Sequence, residues 1–342
     1  MSDLIIGTSA FANANPQLLK EAGIGYIRAD FPVPFADRVG GTLTDHYLRA
    51  REEAFAWAGR GFQVIGVTPL PGIGQYKPDA QGVMHMQWTD FFPAWFGSTA
   101  SDAYFQTYQE VCAFLGQDLR DCVQVWQIAN ELDIPQFAGP LNLHQAWDLA
   151  VHGAIGVKIT HPAALVGTNA AGAPASYYFF GRIVQEDRVQ MDYCGIDQYY
   201  GSWQAGGPDL WVDRIPEIYA ATGVKVLVNE WGFASKGEVM SAEERSQGLP
   251  NCQFRKWVHS WGEGHTWESQ AEFVRQAFDA FVEHRDKLIG ICFYRWEDQE
   301  TCWQCGSPDC PIETAWGLVD KVSCPKPAYY KFKDGVQRLR TA

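Results

Sequence analysis

The sequence predicts an α/β fold, a single (β/α)8 TIM barrel formed by residues 1–342, with long loops after strands three, seven and eight. The main reason is that short apolar or β-branched runs alternate eight times with helical stretches. A second reason is that GTSAFANAN, after the first run, lacks the GxGxxG spacing of a nucleotide-binding sheet. An open doubly wound sheet is the alternative, since it shows the same alternation.

The predicted elements can be placed in order along the chain. A helix start is indicated where Asn15 acts as N-cap and Pro16 occupies the first helical position. A buried helix face is indicated by apolar residues at i, i+3, i+4, i+7 and i+8 from Val274. Eight parallel strands with helices between them close into a barrel. The strand candidates are Leu4–Ile6, Tyr26–Ala29, Gln63–Thr68, Val123–Ala129, Ala164–Gly167, Tyr193–Gln198, Lys225–Asn229 and Leu288–Tyr294.

Three long segments without clear periodicity follow predicted strands, at 69–102, 231–268 and 297–325. Loops after the strands of a barrel lie at its carboxyl end, where active sites are built. All three segments are rich in aromatic residues, and Trp88 in the first is a candidate for binding or supporting the substrate. A single ring usually packs a loop onto the barrel, but across three loops we expect at least two rings to face a ligand.

Composition and charge narrow the range of partners. The chain contains 27 Lys and Arg against 40 Asp and Glu, a formal net charge of −13, and no basic cluster. This balance argues against nucleic acid and anionic membranes, and it favours a neutral or cationic ligand. No run of 18 apolar residues predicts a membrane span. Because the N-terminus lacks signal-peptide features, we expect a cytoplasmic protein, or a secreted one if a signal was trimmed before residue 1.

Two glutamates each end an apolar run and each follow an asparagine. Glu131 lies in WQIANEL and Glu230 in VLVNEWGF. Cleavage of a glycosidic bond requires two such carboxyl groups, one to protonate the leaving oxygen and one to attack or stabilise the anomeric carbon. A metal-dependent barrel hydrolase is disfavoured because HxH and HExxH patterns are missing. The pair predicts a glycoside hydrolase. The alternative is that both glutamates are structural residues that form salt bridges at the barrel rim.

The chain resembles clan A of the retaining glycoside hydrolases, which includes family 5 and family 39 enzymes. In that clan an Asn-Glu pair closes strand four and supplies the acid/base, and a glutamate closes strand seven as the nucleophile. Here Asn130 and Glu131 end the fourth predicted strand, and Glu230 ends the seventh. The resemblance implies a retaining β-glycoside hydrolase that acts by double displacement on a neutral carbohydrate, without a cofactor for catalysis.

The same resemblance implies roles for further residues. Arg28 resembles the arginine beneath the nucleophile, and Asn130 would bind the sugar 2-hydroxyl. Tyr199 resembles the tyrosine that hydrogen-bonds the nucleophile, with Tyr200 as the alternative if the register shifts by one. Trp296 resembles the tryptophan that floors the sugar subsite.

Two departures and two alternatives accompany this interpretation. Asp197 stands where some families have a histidine, and Leu132-Asp133 replaces a common proline, so the family and the sugar stay open. A transglycosylase would use the same residues. A catalytically inactive carbohydrate-binding barrel would keep the cleft without turnover. Sugar configuration, endo or exo action and oligomeric state are not predicted.

Four of the nine cysteines crowd the loop after the eighth strand, with Cys252 in the neighbouring loop. Their spacing, C-x2-C-x4-C-x13-C, is compatible with a structural zinc site that has no open coordination position. Disulfides in an exported protein and free thiols are the alternatives, and the spacing does not decide among the three. The four candidate ligands are Cys302, Cys305, Cys310 and Cys324.

Overall fold

The computed structural model describes residues 4–172 and 174–342, and in these residues eight parallel strands form a closed barrel. The (β/α)8 prediction is confirmed, and closure of the sheet excludes the open doubly wound alternative. The strands of the described residues are β1 (Ile5–Thr8), β2 (Tyr26–Asp30), β3 (Gln63–Val67), β4 (Gly72–Pro78), β5 (Met84–Asp90), β6 (Val123–Gln127), β7 (Leu165–Ala170), β8 (Tyr193–Gln198), β9 (Val226–Trp231) and β10 (Leu288–Phe293). Their order around the barrel is β1-β10-β9-β8-β7-β6-β3-β2.

At least one α-helix follows each barrel strand along the chain. The helices are α1 (Pro16–Glu21), α2 (Asp45–Gly59), α3 (Asp102–Asp118), α4 (Pro135–Ala138), α5 (Leu143–Thr160), α6 (Ser176–Gln185), α7 (Trp211–Thr222), α8 (Ala242–Ser246), α9 (Asn251–Phe254), α10 (Trp267–Glu283), α11 (Pro311–Thr314) and α12 (Pro327–Thr341). The Asn15 side chain caps α1 as predicted, because it accepts hydrogen bonds from the first backbone N–H groups. In the described residues we find no helix whose length and hydropathy would suit a membrane crossing.

The inside of the barrel is layered, with an apolar layer beneath a polar one. Inward-facing positions alternate along each strand, so Leu227 belongs to the apolar layer and Asn229, two residues later, to the polar one. The polar layer lies toward the carboxyl ends of the strands, where a barrel places its active site. The apolar layer consists of Ile5, Ile65, Val125, Tyr193, Leu227 and Cys292.

The segment after the third barrel strand contains an antiparallel hairpin of β4 and β5, which the aperiodic sequence did not predict. The hairpin contacts both other long loops. The Tyr76 N–H donates to the Gln304 carbonyl at 2.7 Å, and the Met84 N–H donates to Gln253 Oε1 at 2.7 Å. The three long segments therefore support one another at one end of the barrel.

Candidate active site

A cavity of about 700 Å³ opens where the barrel strands end, and both predicted catalytic glutamates line it. Its lining includes residues from the ends of strands on all sides of the barrel, such as Ser9 after β1 and Ala171 after β7. Ligand pockets of proteins typically measure about 300–1,000 Å³. The structure thus brings Glu131 and Glu230, 99 residues apart in sequence, to one cavity of ligand size.

Glu230, within β9, is held by a cation and a hydroxyl group. Arg28 Nη1 lies 3.0 Å from Glu230 Oε1, and the Tyr199 hydroxyl donates a hydrogen bond to Glu230 Oε2. Arg28 and Glu230 are each 8% exposed, so water screens their attraction little. Burial raises the pKa of Glu230, while the Arg28 charge and the Tyr199 hydrogen bond act in the opposite direction. These two contacts favour the carboxylate form.

Glu131 follows β6 in a different setting. Its backbone has φ of 45°, in the left-handed region, and its N–H donates to Asn169 Oδ1 at 3.0 Å. Non-glycine residues in this region carry strain of about 1–3 kcal/mol, and such strain concentrates at functional sites. Burial, then the charges of Glu230 and Asp133, raise the pKa of Glu131 well above its ordinary range. Glu131 is therefore suited to hold a proton beside an ionised Glu230.

Amide side chains fix the floor of the cavity. Gln127 Oε1 accepts hydrogen bonds from Arg28 Nε at 2.9 Å and Asn229 Nδ2 at 2.8 Å. Asn130 Oδ1 accepts a hydrogen bond from Arg28 Nη2 at 2.7 Å. It also accepts hydrogen bonds from Gln127 Nε2 and Asn169 Nδ2, each at 2.9 Å. The sequence alone assigned Gln127 and Asn169 no role, although an amide in an otherwise apolar strand was an available signal.

Asp197, on β8, is a third carboxyl group beside the glutamate pair. It is fully buried and accepts a hydrogen bond from Asn169 Nδ2. Burial, then the charges of Glu230 and Glu131, raise the pKa of Asp197 well above its ordinary range. Because Glu230 rather than Asp197 forms the 3.0 Å contact with Arg28, the negative charge of this group is best held on Glu230.

The cavity wall contains a further buried carboxyl group, Glu313 of α11. Gln304 Nε2 donates to Glu313 Oε1 at 2.6 Å, and the Tyr294 hydroxyl donates to Oε2 at 3.3 Å. Burial raises the pKa of Glu313 to about 8. The sequence had not indicated Glu313, because it lies in a loop without a recognisable motif.

Two predicted sugar-binding tryptophans lie away from the cavity. Trp296 has no exposed surface and packs on Tyr329 of α12 with ring centroids 5.9 Å apart. This corrects the expectation that Trp296 floors a subsite, because a ring without exposed surface cannot stack on a sugar. Trp88, on β5, is half-buried against Gly139 and supports the hairpin instead. The aromatic rings that line the cavity are Phe137, Tyr199, Trp203, Tyr294 and Trp303.

No protein-family model matches the chain, and no curated protein matches it. Among solved structures it is similar to exo-β-1,4-mannosidase Op5Man5 from Opitutaceae bacterium strain TAV5, with TM-score 0.63 and 14% identity over 98% of this chain and 59% of that one. A GH10 endoxylanase from a sugarcane soil metagenome gives TM-score 0.64 and 16% identity over 97% and 96% of the two chains. GH5_18 from Streptomyces cattleya in complex with GlcNAc gives TM-score 0.64 and 16% identity over 95% and 74%.

The closed barrel of this chain is similar in fold to these glycoside hydrolase structures. At 14–16% identity the shared property is the fold. The chain spans about half the length of two β-glucuronidase chains that it also matches, 46% of one and 50% of the other.

One of the four predicted metal ligands lies elsewhere in the structure. Cys324 is exposed and lies outside the group of cysteines that can hold a metal ion. Cys252 takes its place, because α9 brings it beside the loop that carries the other three. The Sγ atoms of Cys252, Cys302, Cys305 and Cys310 all lie within 4.8 Å of one another.

Proposed function

We propose that this protein is a retaining β-glycoside hydrolase that cleaves a neutral β-linked oligo- or polysaccharide through a covalent glycosyl-enzyme. The observation that carries the proposal is the unequal setting of two glutamates in one cavity. Glu230 is paired with Arg28 at 3.0 Å, whereas burial and the charge of Glu230 raise the pKa of Glu131. A retaining glycosidase requires this combination of an anionic nucleophile and a protonated acid.

In the first step, a Glu230 carboxylate oxygen attacks the anomeric carbon and the bond to the leaving oxygen breaks. Glu131 gives its proton to that oxygen, so the leaving group departs as a neutral alcohol. In the second step, Glu131 takes a proton from water, which attacks the anomeric carbon and releases Glu230 as a carboxylate. The chemistry uses side chains for both roles and requires no cofactor.

Three neighbouring side chains would support these steps. Arg28 and the Tyr199 hydroxyl would keep Glu230 anionic before attack. Asn130 lines the cavity with its Oδ1 already bonded to three donors, so its Nδ2 is the group that would donate to the sugar 2-hydroxyl. That contact strengthens as the oxocarbenium-like transition state forms.

The charges of the cavity favour a neutral sugar over a uronate. Carboxyl groups in the lining outnumber guanidinium groups, and one of the two guanidiniums, that of Arg28, is engaged by Glu230. Even with Glu131 and Glu313 protonated, the other three lining carboxyl groups outnumber the two guanidiniums, so a substrate carboxylate would meet a small excess of like charge. The similar structures include two β-glucuronidases as well as a mannosidase and a xylanase, so the preference for a neutral sugar rests on the charges of the cavity. The lining carboxyl groups are Asp30, Glu53, Glu131, Glu230 and Glu313, and the guanidiniums are Arg28 and Arg295.

The test is a screen of aryl β-glycosides together with β-glucan, mannan and xylan, with NMR to identify the anomer first released. We expect turnover of at least one neutral β-glycoside with retention of configuration. The Glu230→Gln protein, purified in the same way, controls for contaminating glycosidases. Release of the inverted anomer would contradict the double displacement. Binding of a sugar without turnover would favour the inactive carbohydrate-binding barrel, and longer oligosaccharide products would indicate a transglycosylase.

A further inference from the structure

Four cysteine sulfurs meet beside the cavity, between the loop after β9 and the loop after β10. Cys252 lies on α9, Cys302 and Cys305 precede α11, and Cys310 caps its start. All four Sγ atoms lie within 4.8 Å of one another. Cys252, Cys302 and Cys310 are buried, and Cys305 is half-buried. Such a group joins two chain segments that are 50 residues apart.

The sulfur–sulfur distances match a metal-centred tetrahedron. Cys252 Sγ lies 3.9 Å from Cys302 Sγ and 3.9 Å from Cys310 Sγ. Sulfurs bonded to each other would lie about 2.05 Å apart. Two sulfurs on a tetrahedron with metal–sulfur bonds of about 2.3 Å lie roughly 3.8 Å apart. The cluster has the dimensions of a tetrathiolate site.

The backbone between Cys302 and Gly306 forms a tight turn. The Cys305 N–H donates to the Cys302 carbonyl at 3.3 Å. The Gly306 N–H donates to the Cys302 carbonyl at 2.7 Å, and Gly306 has φ of 73°, a conformation that glycine adopts without strain. The turn Cys302-Trp-Gln-Cys305-Gly306 therefore presents two sulfurs to one point.

The surroundings require a cation if these thiols are ionised. The cluster packs in an apolar group that includes Ala234, Trp257, Ile312 and Trp316. Several thiolates in such a place would repel one another and lack solvation. A divalent ion offsets both the repulsion between the thiolates and their lost solvation. Four thiolates in a tetrahedron favour zinc among the common ions.

We propose that Cys252, Cys302, Cys305 and Cys310 bind one zinc ion, which is structural because four protein ligands fill its shell. The site would tie the loop after β9 to the loop after β10. Trp303 and Gln304 lie between two of the ligands, and Glu313 follows the last ligand by three residues; all three line the cavity. The zinc would hold one wall of the cavity in place. Only the effect of that wall on substrate binding rests on the proposed glycosidase function.

The test measures metal and thiols in the 342-residue chain as purified from cells. We expect one zinc per chain by elemental mass spectrometry, and nine titratable thiols after denaturation in chelator, since the chain contains nine cysteines. Cys302→Ser should lower the zinc content at least severalfold. Cys324→Ser is the matched control and should retain one zinc, because Cys324 is exposed and outside the cluster.

The metal and thiol contents of the wild-type protein test the zinc site even if Cys302→Ser fails to fold. Metal-free protein with nine thiols would overturn the proposal, and so would metal-free protein with five thiols, since 9 − 4 = 5 indicates two disulfides. One iron per chain in place of zinc would overturn the identity of the ion.

A kinetic measurement separates this inference from the proposed activity. Cys302→Ser should raise KM for an active aryl glycoside severalfold and leave kcat within about threefold, because neither catalytic glutamate lies in the loops that the zinc would join. A fall in kcat as large as the rise in KM would contradict the proposal that the zinc only supports the cavity wall. Zinc in a wild-type protein without glycosidase activity would contradict the proposed function and leave the metal site standing.

Discussion

The floor and the wall of the cavity are built in different ways. The floor consists of side chains from strand ends, such as Arg28 and Glu230, joined across the barrel by hydrogen bonds and an ion pair. The wall around Trp303 and Gln304 belongs to a loop, beside a cluster of cysteines. Closure of the sheet fixes the floor, whereas contacts between loops fix the wall. Changes in the floor should therefore alter chemistry and pH dependence, and changes in the wall should alter binding.

The largest effect is expected from Glu230→Gln, which removes the nucleophile. We expect kcat to fall by about 10⁴-fold or more, since loss of a nucleophile removes most of a covalent mechanism. Initial rates on the best aryl glycoside measure this, with Glu283→Gln on the exposed side of α10 as control. Turnover within tenfold of wild type would remove Glu230 from the nucleophile role.

Glu131→Gln should show an effect that depends on the leaving group. We expect a loss of about 10²–10⁴-fold on substrates that need protonation, and a much smaller loss in the first step with a dinitrophenyl leaving group. Pre-steady-state release of dinitrophenol measures that step. Equal losses on both kinds of substrate would contradict the acid role.

The pH profile of the same variant provides a second readout. Since burial and the Glu230 charge raise the pKa of Glu131, wild-type activity should fall as pH rises through that pKa and the proton is lost. Glu131→Gln should lack this basic limb while keeping the acidic limb, where Glu230 becomes protonated. A basic limb unchanged in the variant would assign it to another group.

The floor was predictable from the sequence because strand order determines it. Glu230 lies in the seventh barrel strand and Glu131 four residues after the fourth, so recognising eight strands placed both at one cavity. The resemblance to clan A indicated Arg28 and Tyr199, and the structure places both on Glu230. Trp296 does not line the cavity, because its buried ring packs on Tyr329 of α12 and the sequence does not indicate which ring the last helix covers.

A smaller effect is expected from Tyr199→Phe, which removes the hydroxyl that donates to Glu230. Hydrogen bonds to charged groups contribute about 1.5–3 kcal/mol, so kcat/KM should fall roughly 10- to 100-fold. The pKa of Glu230 should rise, and the acidic limb of the profile should move to higher pH. The matched control is Tyr200→Phe, whose hydroxyl donates to Gln198 Oε1 at 2.9 Å instead. Equal shifts in both variants would contradict the specific role of Tyr199.

The smallest effect concerns the wall. Trp303→Ala removes a half-buried ring that lines the cavity, and we expect KM to rise about tenfold, or roughly 1.4 kcal/mol, with kcat little changed. Trp267→Ala is the control, because Trp267 is exposed on α10. A large fall in kcat at constant KM would mean that Trp303 contributes to the chemical step rather than to binding.

The wall was not predictable because its contacts join distant segments. Cys252 is 50 residues from Cys302, and no spacing rule linked them, whereas Cys324 matched a spacing and lies outside the cluster. Glu313 acquires its raised pKa from burial within this assembled loop. Sequence periodicity reports on helices and strands, and it carries no information about which loops meet.

In the proposed mechanism Glu230 attacks the anomeric carbon, and Glu131 donates a proton to the leaving oxygen and then accepts one from water. Incubation with the 2-fluoro glycoside of an accepted sugar, followed by peptide mass spectrometry, tests it most directly. We predict one fluoroglycosyl group per chain, on Glu230, and faster reactivation when an acceptor sugar is added. A label on Glu131 or another residue, or no label during inactivation by a good aryl leaving group, would contradict the claim.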